Sequence, residues 1–188
     1  MSKLFVDEIV HQSSQGSGTI TLGASGETIT VPTGVTLDTT SATQNRPAFQ
    51  AGRSGNQTLS DGANTVIAFD VSRFDIGSNY STSTYRFTAP KAGRYFFTTQ
   101  CRIDNASSGG YLRCYFGVNG ISGYGGNTGY DYGHSISGGN HSTDYESLSV
   151  SAVLNLSVND YVQVFAGKHG STTSNLQDES QFSGYFLG

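Results

Sequence analysis

Gly93-Arg94-Tyr95-Phe96-Phe97-Thr98-Thr99-Gln100-Cys101-Arg102-Ile103-Asp104 is the stretch that decides the fold. Tyr95, Phe97, Thr99, Cys101 and Ile103 form one predominantly apolar set, and Phe96, Thr98, Gln100 and Arg102 form the alternate set. Successive side chains of a strand point to opposite faces, so this period of two predicts a long strand with one buried face. The other face is turned toward solvent or a partner. Just before it, Ala89-Pro90-Lys91-Ala92-Gly93 supplies Pro and Gly where the chain must turn.

The same reading, carried outward, gives a series of strands divided by turn residues. Pro47 to Gly52 reads as an edge strand, Thr65 to Val71 as a second strand and Thr84 to Thr88 as a third. After Gly93 to Asp104 come Tyr111 to Val118, Glu146 to Leu156, Asp160 to Gly167 and Gln181 to Leu187. At least eight strands without a convincing helix predict an all-β sandwich or jelly roll. Phe69, Phe87, Tyr95, Phe97, Leu154, Val162 and Phe182 are its candidate core.

Composition agrees. Among 188 residues there are 26 Ser, 20 Thr and 25 Gly, and only 13% are charged, so helix formers are scarce. The 11 Tyr and 11 Phe favour strands and supply apolar area that a disordered chain lacks. A net charge of −4 excludes the basic surplus with which proteins displace counterions from nucleic acid. No apolar run approaches the roughly 20 residues of a membrane span, so no membrane insertion is expected. The length suffices for a core without metal or disulfide staples.

No enzyme constellation emerges. His11, His134, His141 and His169 form no H-x-x-x-H or H-E-x-x-H unit, and G-x-S-x-G and GxxxxGK[ST] are absent. Asp131, His134, His141 and Asp144 are the best metal-like group, but they read as polar residues of a Gly-rich loop, and neither a metal nor a cofactor is expected. The segment Gly120 to Tyr145 combines many Gly with Tyr124, Tyr130, Tyr132 and Tyr145. Tyr offers rigid amphipathic contact area while Gly, Ser and Asn adapt, a combination that suits a recognition loop. A long flexible loop, or packing between subunits, is the equal alternative.

Phe49-Gln50-Ala51, Val66-Ile67-Ala68-Phe69-Asp70, Phe87-Thr88-Ala89-Pro90 and Gly93-Arg94-Tyr95-Phe96-Phe97 recur in a fixed order with three later pieces. These are Val118-Asn119-Gly120, Val153-Leu154-Asn155-Leu156 with Asn159-Asp160-Tyr161-Val162, and Phe182-Ser183-Gly184-Tyr185-Phe186-Leu187. In that order they resemble the C1q-like domain, the trimeric jelly roll related to tumour necrosis factor, over residues 46–188. The resemblance implies a homotrimer. It also implies that Cys101 and Cys114 lie on opposing sheets, where a disulfide is conceivable; two buried thiols acting as small apolar residues fit cytoplasmic assembly better. Asn159 stands where the family usually has Gly, and Asn tolerates the left-handed backbone such a turn needs.

Residues 1–45 differ from the rest. Thr19-Ile20-Thr21-Leu22 recurs as Thr28-Ile29-Thr30-Val31, and such short alternating strands cannot bury a face within one chain. They imply stacking on other chains, followed by a linker over Thr39 to Asn45. The segment resembles the openings of bacteriophage virion appendage proteins, marine cyanobacterial phages in particular. With no secretory signal at Met1 to Glu8, the expected product is a virion protein assembled in the bacterial host cytoplasm. Residues 1–45 would be the attachment and β-shaft segment, joining other virion proteins, and residues 46–188 the knob. The expected function is a non-enzymatic trimeric fibre or spike whose knob adsorbs to a host surface glycan or outer-membrane component. The alternative is a capsid-decorating or tail-joining protein whose knob meets other virion proteins.

Overall fold

In the computed structural model of the chain, the residues described are 33, 46–104, 110–120, 131–139, 145–170 and 173–188, with 131–139 placed as backbone. The expected N-terminal strands and linker therefore lie outside the described residues. Among the described residues thirteen strands succeed one another without a helix. They begin with β1 (Ala48–Gly52), β2 (Gln57–Leu59), β3 (Asn64–Val66), β4 (Val71–Ile76), β5 (Tyr80–Ser81), β6 (Arg86–Thr88) and β7 (Gly93–Asp104). They continue with β8 (Gly110–Val118), β9 (Asp131–Gly139), β10 (Tyr145–Leu156), β11 (Tyr161–His169), β12 (Ser174–Leu176) and β13 (Gln181–Phe186).

The strands form two antiparallel sheets of a jelly roll. β7 is the spine of the first: β10 pairs with its whole length, from Tyr145↔Asp104 to Leu156↔Gly93. On the other side β13 takes the first half, Phe186↔Tyr95 to Gln181↔Gln100, and β12 meets Ile103 through Leu176. β1 and then β4 extend the sheet beyond β13, and β2 extends it beyond β12. β11 is the spine of the second sheet, paired with β8 from Val162↔Val118 to His169↔Tyr111. Its other edge is shared by β6 and β3, with β5 beyond β6 and β9 beyond β8.

The alternation of β7 becomes the core. Tyr95, Phe97, Cys101 and Ile103 are buried, and so is Thr99, whose hydroxyl donates to the Gln181 carbonyl at 2.8 Å and thus leaves no polar group unpaired. Phe69, Phe87, Leu154, Val162 and Phe182 are buried as well. Ring centroids meet around Phe182: Phe49 at 4.8 Å edge-on, Phe69 at 5.8 Å, Phe116 at 5.9 Å and Phe97 at 6.0 Å. Phe49 also stacks on Tyr80 at 4.8 Å and on Phe87 at 5.1 Å. A Cβ on Gly184 would stand 2.5 Å from Phe97 and 2.9 Å from Phe49, so only glycine lets these rings close over β13. Asn159 has φ 71°, the left-handed turn for which Asn can replace Gly.

Four sequence expectations are corrected. β1 is not an edge strand but lies between β13 and β4; Pro47 precedes it and contributes only a carbonyl, which accepts from the Phe186 amide at 2.9 Å. Thr65 to Val71 is two strands in different sheets, β3 on β11 and β4 on β1, with Ile67 to Asp70 crossing between them. Ile67 and Phe69 still alternate inward, but side chains replace the ladder. The Ala68 amide donates to Gln57 Oε1 at 2.9 Å, and its carbonyl accepts from Arg53 Nη1 at 2.6 Å. The Phe69 carbonyl accepts from the Tyr80 hydroxyl at 2.9 Å, and burial pushes that phenol well above its ordinary pKa, which keeps the donor protonated. Thr84 and Tyr85 belong to a turn, Tyr85 at φ 56°, so the third strand starts at Arg86. Finally, Asp131 to Gly139 is a strand, not a loop. Pairing with β8 overrides the low strand propensity of its glycines, and the register shift between Tyr115 and Phe116 leaves Gly133 as the extra residue of a bulge.

Tyr95 separates ring burial from hydrogen bonding, because its hydroxyl donates to the Lys91 carbonyl at 2.7 Å. In denaturant unfolding, Tyr95→Ala is expected to cost about 3–5 kcal/mol and Tyr95→Phe about 1 kcal/mol; equal losses would contradict this packing.

Asp70 offers a pH test. The Ser54 hydroxyl and then the Ser54 amide hold its carboxylate below the ordinary value when folded. The unfolded chain therefore binds the proton first, so this contribution is whole above about pH 4 and disappears as pH falls further. Asp70→Asn should flatten the acid limb of a plot of urea midpoint against pH.

Candidate functional site

The outer face of the first sheet carries what the core does not use. Once Phe49, Phe97, Phe182 and Gly184 face inward, their neighbours on β1, β7 and β13 must face outward. Register then aligns one row across five strands: Ile76 on β4, Ala48 on β1, Tyr185 on β13, Phe96 on β7 and Val153 on β10. At strand spacings of about 4.8 Å this row is roughly 19 Å wide. Ile76 is 45% exposed, Tyr185 48% and Val153 57%, while the half-buried Phe96 ring lies 5.3 Å from Tyr185. Single exposed apolar residues need no explanation, but an aligned row does.

Polarity rises along the strands from this row. The next one holds Phe74, 47% exposed, then Gln50, Ser183, Thr98 and Ser151. Beyond it, Gln181 stands opposite Gln100 and accepts a hydrogen bond from Gln50 Nε2 at 3.0 Å. At the far end Arg102 pairs with Glu179 and places its guanidinium 4.1 Å from the Tyr145 ring centroid. The face thus runs from an apolar end, where β7 starts and the chain enters at Pro47, to a charged and aromatic end.

Of the four tyrosines of the expected recognition loop, Tyr145 opens β10 and belongs to the charged end of this face. Tyr132 falls in β9 at the position opposite Phe116. Tyr124 and Tyr130 lie outside the described residues. Asp131 and His134 are also placed along β9, whereas His141 and Asp144 lie outside the described residues. Among the described residues no three His, Cys, Asp or Glu side chains are grouped as metal ligands, and no helix is long and apolar enough to cross a membrane. Sequence reasoning singled out Phe96 on the outward side of β7. It missed Ile76, Tyr185 and Val153 as its companions, because only the register of distant strands aligns them.

The model of one protein family, described as the C1q domain, matches residues 48–187. Among solved structures, the globular domain of zebrafish complement 1qA protein is similar at 17% identity, covering 76% of this chain and 98% of that one, with a TM-score of 0.54. Eiger TNF from S. frugiperda is similar at 15% identity, covering 76% and 92%, with a TM-score of 0.52. Murine APRIL at pH 5.0 is similar at 13% identity, covering 76% and 99%, with a TM-score of 0.55. At such identities these likenesses show the fold. No curated protein matches the sequence.

Proposed function

Because the chain belongs to the C1q domain family, we propose that its jelly roll is a non-enzymatic knob that assembles as a homotrimer through the outer face of the first sheet. The knob sits on a bacteriophage virion fibre or spike, made in the host cytoplasm, and adsorbs to a glycan or outer-membrane component of the host surface.

The aligned row Ile76, Tyr185, Phe96 and Val153 is the observation that carries this reading. A closed ring of three needs a heterologous contact, in which one side of a patch meets the other side of its neighbour. Ile76 and Val153 at opposite ends of the row, with the Tyr185 and Phe96 rings between them, suit such a contact. Covering the remaining exposed area of each large side chain is worth about 1 kcal/mol, and three copies multiply it. The virion setting is supported by the likeness of residues 1–45 to phage appendage proteins. Host adsorption is supported by the Tyr- and Gly-rich composition around Tyr124, Tyr130 and Tyr132.

Light scattering at micromolar concentration should give a trimer mass, and Tyr185→Asp with Val153→Asp should give a folded monomer, since buried unpaired carboxylates cost several kcal/mol. A monomeric wild-type chain would overturn the proposal, and a trimeric variant would move the interface off this face.

Replacing Tyr124, Tyr130 and Tyr132 together by Ser should lower host-cell adsorption of virions about a hundredfold, equivalent to roughly 2.8 kcal/mol, with trimer mass and melting temperature unchanged. Normal adsorption would remove these rings from recognition.

A further inference from the structure

Cys101 and Cys114 are the two cysteines of the chain, and they meet inside the core. Cys101 projects from β7 of the first sheet and Cys114 from β8 of the second, and both are fully buried. Their Sγ atoms are 3.1 Å apart, about 1 Å beyond a disulfide bond of about 2.05 Å. Leu148 stands opposite Cys101 on β10 and Ala166 opposite Cys114 on β11, Ser135 of β9 is the other cross-strand partner of Cys114, and the Thr99 hydroxyl lies 3.8 Å from the Cys101 sulfur. The two sulfurs face each other across the sandwich within hydrogen-bond distance, so the reduced pair is already aligned for bond formation.

We propose that Cys101 and Cys114 are a disulfide site that locks the two sheets together when the chain folds in oxidising surroundings and stays a thiol pair when it folds in a reducing cytoplasm. Two S–H bonds break and one S–S bond forms. The two protons and two electrons pass to a small-molecule disulfide of the glutathione type, which is reduced to two thiols. The bond closes the loop from β7 to β8 and restricts the unfolded chain. Timing follows from burial. The hydrogen bond with Cys101 and the loss of water hold the Cys114 thiol well above its ordinary range, so the folded, reduced pair exchanges slowly. The bond therefore forms during folding, is shielded afterwards, and records the redox conditions under which the chain matured.

The test uses the full chain made by cell-free synthesis, in parallel, with reduced and with oxidised glutathione. Each product is denatured, treated with iodoacetamide and weighed as an intact chain. The reduced product should take up two alkyl groups. The oxidised product should take up none, weigh two hydrogen atoms less than the unmodified chain, and melt roughly 5–10 °C higher. A Cys101→Ala, Cys114→Ala chain should melt alike from both syntheses. Two alkylated thiols, a glutathione adduct or a chain-to-chain bond in the oxidised product would overturn the site. A bonded chain that melts no higher would overturn the lock. The alkylation count and the mass are read on denatured chains and do not depend on the oligomeric state, and the melting temperatures are compared at one chain concentration.

Discussion

The rings that meet around Phe182 fix the spacing and register of both sheets. Phe49 from β1 meets Phe182 from β13 edge to face, Phe97 from β7 lies tilted to both, and the three can close up only if Gly184 keeps its place bare beneath them. With period two, one inward residue on a strand settles every other residue of it. The choice that puts Phe182 and Gly184 inside therefore puts Tyr185 outside, and the choice that hides Tyr95 and Phe97 displays Phe96. The exposed row is the other side of the aromatic core rather than a separate design, and a one-residue slip in β13 would destroy both.

Buried polarity follows the same logic of mutual support. The crossing from β3 to β4 leaves the backbone of Ala68 and Phe69 without ladder partners, and Gln57, Arg53 and Tyr80 replace them. Thr99 is tolerated inside because the Gln181 carbonyl lies within reach. Each of these bonds is worth little net, but an unpaired buried group costs more than the bond gains. They act by excluding alternative packings.

Much of the fold was legible because β7 and β13 carry their alternation in their own residues, and the order of the motifs named the architecture. What was not legible depends on partners far along the chain. Ile67 and Phe69 alternate as strand residues do, so nothing local reveals that the ladder stops at Val66 and resumes at Val71 in another sheet. The interior position of β1 is decided by β4 and β13, and the strand at Asp131 to Gly139 by the free edge of β8. The same holds for the candidate face. Phe96 was visible from β7 alone, whereas Ile76, Tyr185 and Val153 join its row only through four registers.

The clasp of β1 between β4 and β13 also sets a schedule. Gln50 and Gln181 touch although 131 residues separate them, so the first sheet is closed by some of the longest-range contacts the domain can make. Such topology folds slowly, on a scale of about milliseconds to seconds, because loop entropy is spent before the contacts return it. On the ribosome, β1, β4 and β7 emerge and wait, with the place of β13 empty between β1 and β7. Only after Phe186 has left the exit tunnel can the sheet zip shut. Tyr185, which stands at the centre of the outer row, arrives with that last strand, so the row is completed by the same event that closes the sheet.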